Sequence, residues 1–135
     1  QSPQDDLLPL CEQLDIAVIA RVPFDEGTLT GTLTKDTCWP EGDWRNTYFV
    51  PANLEASVAH AEALRPLIPA GMTMPELALR WILSDPRIAT TIPGMRKLRH
   101  VEANIATSDG RYLESALMAR LRAHRWDRTP TEWSQ

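Results

Sequence analysis

Cysteine is scarce: Cys11 and Cys38 are the chain's 2. That is too few for a disulfide framework, and no His, Cys, Asp or Glu cluster has metal-ligand spacing. The expectation is a reduced, cytoplasmic protein without a metal, with Cys11 buried on an apolar helical face and Cys38 in a loop. No apolar run approaches the ~20 residues that cross a bilayer, and Gln1-Ser2-Pro3 does not open a signal peptide, so no membrane partner is expected. An excess of basic charge is also lacking. The formal net charge is −4, which argues against nucleic acid as a partner. No internal repeat, low-complexity tract, G-x-S-x-G nucleophile signature or acid–base dyad occurs. Asp5-Asp6 and Asp25-Glu26 read as helix-start charge or solvated turns, and His60 and His124 as solvated helix histidines.

What remains is the composition of one globular domain: 135 residues, 43% hydrophobic and 24% charged. Leu7, Leu10, Cys11 and Leu14 follow helical spacing, with Pro9 tolerated only in the first turn. Ile16 to Ala20 is a β-branched apolar run, as expected of a strand covered on both faces. Thr32 to Pro51 is irregular, yet it carries Trp39, Trp44, Tyr48 and Phe49, which suggests a loop packed down on the body. Asn53 can cap a helix carrying Leu54, Val58, Ala61 and Leu64, ended by Pro66 and Pro69. Thr73-Met-Pro-Glu76 is a capping box opening a largely buried helix with Leu77, Trp81 and Ile82. Ile88 to Ile92 reads as a second strand, followed by helices from about Lys97 to Thr107 and Leu113 to His124. The tail, from Trp126, is polar with two tryptophans. Strands separated by helices imply a parallel α/β arrangement. Two strands are too few for a stable open sheet, so part of the architecture is missing.

Two segments carry candidate chemistry. Each leaves a strand through a glycine-bearing turn toward a helix start, where backbone N–H groups can hold phosphate. In the first, Gly27 and Gly31 frame Thr28-Leu29-Thr30; a lone G-x-x-x-G is also what a plain surface turn contains. Arg21, at the strand's end, is either a ligand contact or a salt-bridged rim residue. In the second, Pro93-Gly94 ends the strand, and helical spacing clusters Arg96, His100, Ala103 and Asn104 on one face. Leu98, Val101 and Ile105 fall on the opposite face, toward a core. A guanidinium, an imidazole and an amide beside a helix start suit a phosphate monoester and a heteroaromatic edge. An ordinary solvated face with a helix-start arginine has the same spacing.

Taken together, Arg21-Val-Pro-Phe-Asp-Glu-Gly-Thr-Leu-Thr-Gly31, Met74 to Ser84, Thr91-Ile-Pro-Gly-Met-Arg96 and Val101-Glu-Ala-Asn104 resemble the aldo-keto reductase superfamily. The likeness runs up to about Arg125 and is nearest to bacterial general aldo-keto reductases and potassium-channel β-subunits. It implies an α/β fold, the C-terminal part of a (β/α)8 TIM barrel around its seventh and eighth strands. A complete barrel needs about 250 residues, so residues 1–135 would form one incomplete portion. The resemblance further implies NADP(H) as cofactor and aldehydes or ketones as substrates of the intact enzyme. Pro23, Phe24, Glu26, Gly27, Leu29 and Gly31 match the pyrophosphate loop, and Gly94, Met95, Arg96, His100 and Asn104 match the adenosine-phosphate site. Arg21 falls where the family usually stacks an aromatic ring on the nicotinamide, and Val22 where it commonly has Ser. Ala103 stands where it often has Glu, and Glu102 is one place early. The family's catalytic Asp, Tyr, Lys and His all precede this stretch, so no catalytic residue is assigned; Tyr48 and Tyr112 match neither motif nor location. The expected partners are a missing N-terminal half or a second copy covering the open edge. The competing expectation is a non-catalytic half-barrel that binds nucleotide or serves as an interaction module.

Overall fold

The computed structural model describes residues 2–126; the tail beyond Trp126, with Trp133, lies outside them. After a short 3₁₀ turn, α1 (Leu7–Gln13) leads into β1 (Val18–Ala20). Two 3₁₀ turns over Asp25–Thr30 are followed by α2 (Arg45–Tyr48), α3 (Pro51–Leu64) and α4 (Met74–Leu83). β2 (Ile88–Thr91), α5 (Leu98–Ile105) and α6 (Ser115–Arg122) complete the order. β1 and β2 pair in parallel, with Val18 opposite Ile88 and Ala20 opposite Thr91. Parallel pairing needs a crossover, here the whole segment from β1 to β2 with its three helices.

α4 is the centre of the packing. It lies against β2, the 25–30 turns and α5, and Met74, Leu77, Ala78 and Leu79 are buried, Leu79 at 1% exposure. Leu8 of α1 and Met118 and Leu121 of α6 are also buried. The aromatic loop does pack down, as its composition suggests. Tyr48, Phe49 and Leu54 form a satellite core with Leu33, Trp39 and Val58, and the Trp39 and Phe49 rings stack with centroids 5.2 Å apart. This burial offsets the entropy of ordering a long irregular segment.

Helix starts obey local chemistry unevenly. The Thr73 hydroxyl accepts from the Glu76 N–H at 3.2 Å, as an N-cap should. The Glu76 carboxylate, however, bonds Arg80 Nε at 2.9 Å one turn on. α3 begins earlier than expected, with Val50 before it and Pro51 in its first turn. Asn53 is therefore not a cap but a buried residue inside the helix, its Nδ2 donating to the Tyr48 carbonyl at 3.1 Å.

Several apolar faces expected to be inside are exposed. Ile19 of β1 is 58% exposed, and Ile16 and Ile92 are exposed with it. In α1, Leu7, Leu10 and Leu14 are exposed while the neighbouring Leu8 is buried. Cys11 is half-buried rather than buried, and Cys38 is exposed. In α5, Leu98 (73% exposed) and Ile105 face outward, and the helix is held instead through Asn104 and Thr107. Trp81 and Ile82 are half-buried. The sequence pattern marks these surfaces as faces to be covered, and among the described residues no further strand or helix covers them.

Candidate functional site

The site begins with the strand ends. The Ala20 carbonyl accepts both the Ile92 N–H, at 3.2 Å, and the Thr91 hydroxyl, at 3.1 Å. The C-terminal ends of β1 and β2 are thereby fixed side by side. Arg21 leaves one and Pro93-Gly94 leaves the other, so both segments singled out in the sequence start from the same edge of the sheet.

The first segment is a tightly wound loop. Val22, Asp25 and Glu26 have φ of 53°, 48° and 54°, and Gly27 has 108°. Left-handed backbone at a β-branched residue is strained by about 1–3 kcal/mol and persists only where the surroundings impose it. Here the Asp25 N–H holds the Val22 carbonyl at 3.0 Å, and the Gly27 and Leu29 N–H groups both donate to the Phe24 carbonyl. The Thr30 hydroxyl closes onto the Gly27 carbonyl at 2.6 Å. The loop thus spends donors expected for an anion on its own closure, and 3₁₀ turns rather than an α-helix follow it. Pro23 is buried; Phe24, Glu26, Gly27, Leu29 and Gly31 are half-buried; Arg21 and Val22 are exposed. The two glycines differ in what they permit. A Cβ on Gly31 would meet Met74 Sδ at 3.3 Å, so its smallness serves packing on α4, whereas a Cβ on Gly27 would meet nothing within 4 Å.

In the second segment, Asn104 is 8% exposed and its Nδ2 donates to the Gly94 carbonyl at 3.3 Å. The amide ties the turn to α5. Met95 and Arg96 are exposed and His100 is half-buried, with Arg99 Nε donating to His100 Nε2 at 3.3 Å. Gly94 has no left-handed φ, and a Cβ there would stand in open space. Nothing in the described residues demands glycine at 94, which leaves room for close approach by something outside them.

A cavity of about 510 Å³ lies beside Asn104, between the start of α4 (Thr73, Pro75, Glu76, Leu79) and Ala103, Asn104 and Ala106. Its size suits a small ligand or part of a larger one. The α4 wall went unnoticed in the sequence, because Thr73-Met-Pro-Glu76 reads there only as a helix start. A second cavity of about 490 Å³ follows β1 from Val18 to Pro23, under Trp81, Ile82, His124 and Trp126. Trp126 also meets His60 of α3, ring centroids 3.6 Å apart.

The arginines divide into two kinds. Arg45, Arg65, Arg80, Arg87, Arg111 and Arg125 each hold a carboxylate. Arg21, Arg96, Arg99, Arg120 and Arg122 form no such pair among the described residues, so the salt-bridged rim alternative for Arg21 finds no support. Arg80 is the most heavily engaged: it bonds Glu76, both oxygens of Asp109 at 2.9 and 3.1 Å, and the Arg111 carbonyl at 2.6 Å. It fastens α4 to the segment after α5, and Arg80 and Arg111 themselves line the cavity. Among the described residues no group of three or more His, Cys, Asp or Glu could hold a metal, and no helix is long and apolar enough to cross a membrane.

The family model described as "Aldo/keto reductase family" matches residues 1–125. The chain is 33% identical over 105 residues to the NADH-specific methylglyoxal reductase of Escherichia coli (strain K12), covering 76% of this chain and 32% of that protein. It is 23% identical over 107 residues to the aldo-keto reductase yakc [NADP(+)] of Schizosaccharomyces pombe, covering 77% and 32%. Its fold matches the glycerol dehydrogenase AKR11B4 from Gluconobacter oxydans with a TM-score of 0.79 at 24% identity, over 92% of this chain and 38% of that one. The chain spans about a third of the length of these curated relatives, and its α/β fold is part of a (β/α)8 barrel.

Proposed function

The chain belongs to the aldo/keto reductase family, and from that premise we propose that it is the C-terminal, cofactor-binding portion of an NADP(H)-dependent reductase of aldehydes or ketones. The observation that carries this reading is the juxtaposition of the two strand ends, from which two loops leave carrying open glycines and arginines without carboxylate partners among the described residues. Ligands of parallel α/β folds bind outside the carboxyl ends of the strands. The nicotinamide end would lie by Arg21 and Val22, and the pyrophosphate along Pro23, Phe24, Glu26, Gly27, Leu29 and Gly31. The adenosine-phosphate end would meet Gly94, Met95, Arg96, His100 and Asn104, with the cavity under Asn104 taking the base.

The residues fit such a group. Gly27 and Gly94 leave space where a side chain would intrude, and Arg96 offers an uncommitted guanidinium suited to a phosphate monoester. When bound, the cofactor supplies hydride to a carbonyl carbon; this chain's residues bind and orient it. The exposed Ile16, Ile19, Leu98 and Ile105 favour a further requirement, the remainder of the barrel or a second copy to cover them. The same faces sustain the alternative of a non-catalytic, nucleotide-binding half-barrel.

Named relatives use either cofactor, one NADH and one NADP(+); here the choice falls on Arg96. Titrating NADPH and NADH against the chain and its Arg96→Ala variant tests this. Removing one charge-assisted phosphate contact is expected to weaken NADPH by about tenfold and leave NADH nearly unchanged. Equal weakening of both, or no binding of either by the unaltered chain, would reject the assignment.

A further inference from the structure

We infer that Arg21 makes the site discriminate between the oxidation states of its nicotinamide cofactor, holding the reduced form more tightly than the oxidised one. The inference rests on the nucleotide-binding reading above and adds to it a preference which that reading does not require.

Arg21 is anchored on both sides. Before it, the Ala20 carbonyl is held by Ile92 and Thr91 of the neighbouring strand. After it, Val22 is locked in left-handed backbone by the Asp25 N–H. The root of the side chain therefore has little freedom to swing away from the strand end. Arg21 itself is exposed and forms no ion pair among the described residues, in contrast to the six arginines that hold carboxylates. Arg21 thus presents its positive charge at this strand end without an ion pair among the described residues, on the cavity wall it shares with Asp25.

The oxidised nicotinamide ring carries one positive charge that the reduced ring lacks, while the phosphates of the two forms are the same. Attraction between Arg21 and any phosphate therefore cancels in the ratio of affinities, and repulsion from the ring does not. Two unit charges about 4 Å apart repel enough, even at the dielectric of bulk water, to change that ratio roughly fivefold, and by more where water is excluded. A neutral aromatic side chain in the same place would stack without imposing this difference.

The experiment is a fluorescence or calorimetric titration of NADPH and NADP⁺ against the full chain and its Arg21→Met and Arg21→Lys variants. The unaltered chain is expected to bind NADPH about fivefold or more tightly than NADP⁺. Arg21→Met should bring the two affinities together, mainly by strengthening NADP⁺, and Arg21→Lys should keep most of the preference. An unchanged ratio in Arg21→Met, including equal weakening of both forms through a lost phosphate contact, would overturn the inference and leave the nucleotide reading standing. Failure of the unaltered chain to bind either form would overturn both. Because Arg21 is exposed and forms no ion pair among the described residues, neither substitution removes such a pair; circular dichroism identical to that of the unaltered chain checks that the fold is kept.

Discussion

Purified, the chain should oxidise NADPH in the presence of an aldehyde no faster than buffer does. Its resemblance to the aldo-keto reductases places the Asp, Tyr, Lys and His of that family's chemistry in a stretch preceding the part matched here. The described residues bring no equivalent set together. Tyr48, one of two candidate phenols, is buried in the aromatic satellite core beside Phe49 and Leu54. Tyr112 lies exposed in the loop between α5 and α6, on neither strand end. Without a positioned proton donor, a developing alkoxide is not quenched and hydride transfer loses a contribution typically worth 10²- to 10⁴-fold. On the proposed reading, the rest of the barrel also positions the carbonyl. A spectrophotometric assay at 340 nm decides it: sustained, enzyme-dependent NADPH loss from the chain alone would sink the division of labour proposed here.

The second large effect is on stability. Arg80→Met should lower the free energy of unfolding by about 2–3 kcal/mol, measured by urea denaturation. Breaking a fully buried ion pair costs more, about 3–5 kcal/mol, because a charge is stranded without water. Here the Arg80 side chain is 5% exposed, but those of Asp109 and Glu76 are 29% and 31% exposed, so water softens the loss. Arg80→Lys should recover only part, since an ammonium cannot reproduce the fork that spans Asp109 and Glu76. If Arg80→Met unfolds at the same urea concentration as the unaltered chain, the latch is ornamental.

The same network sets the acid limb of the stability profile. Hydrogen bonds from Arg80, then from Arg111, hold the Asp109 carboxyl well below the usual carboxylate range, and the Arg45 side chain pulls Asp43 down to about 2. A carboxyl depressed on folding favours the folded state above its unfolded pKa, near 3.9, and that contribution fades as pH falls toward the folded value. Melting temperature should therefore be level from pH 7 to about 5 and fall between about pH 4 and 2. In Asp109→Asn the fall should be shallower from a lower plateau. A profile unchanged by that substitution would remove Asp109 from the account.

Much of the fold is legible in the sequence because it rests on local rules. The capping hydroxyl of Thr73, the β-branched runs that become β1 and β2, and the aromatic loop that packs as a core are all written in nearby residues. Where local reading went astray, the deciding contact was distant or missing. Asn53 looks like a cap, but the Tyr48 carbonyl is close enough to take its amide, and Pro51 opens the helix first. Leu98 and Ile105 look like core, yet α5 is anchored through Asn104, because the Gly94 carbonyl and the α4 cavity lie on that side. Glu76 looks like the second arm of a capping box, yet Arg80 is one turn away with a charge to neutralise.

By itself, the sequence determined the class of the molecule: parallel α/β, too few strands to close, and two glycine-bearing loops that each carry an arginine. Periodicity, capping and turn chemistry act over a few residues, so they survive in any fragment of the fold. Only the tertiary structure decided which arginines are committed to carboxylates and which remain available, that Gly31 serves packing while Gly27 and Gly94 face open space, and that the α4 start walls a cavity beside Asn104. Those outcomes depend on groups far apart in the chain, whose distances no local pattern fixes.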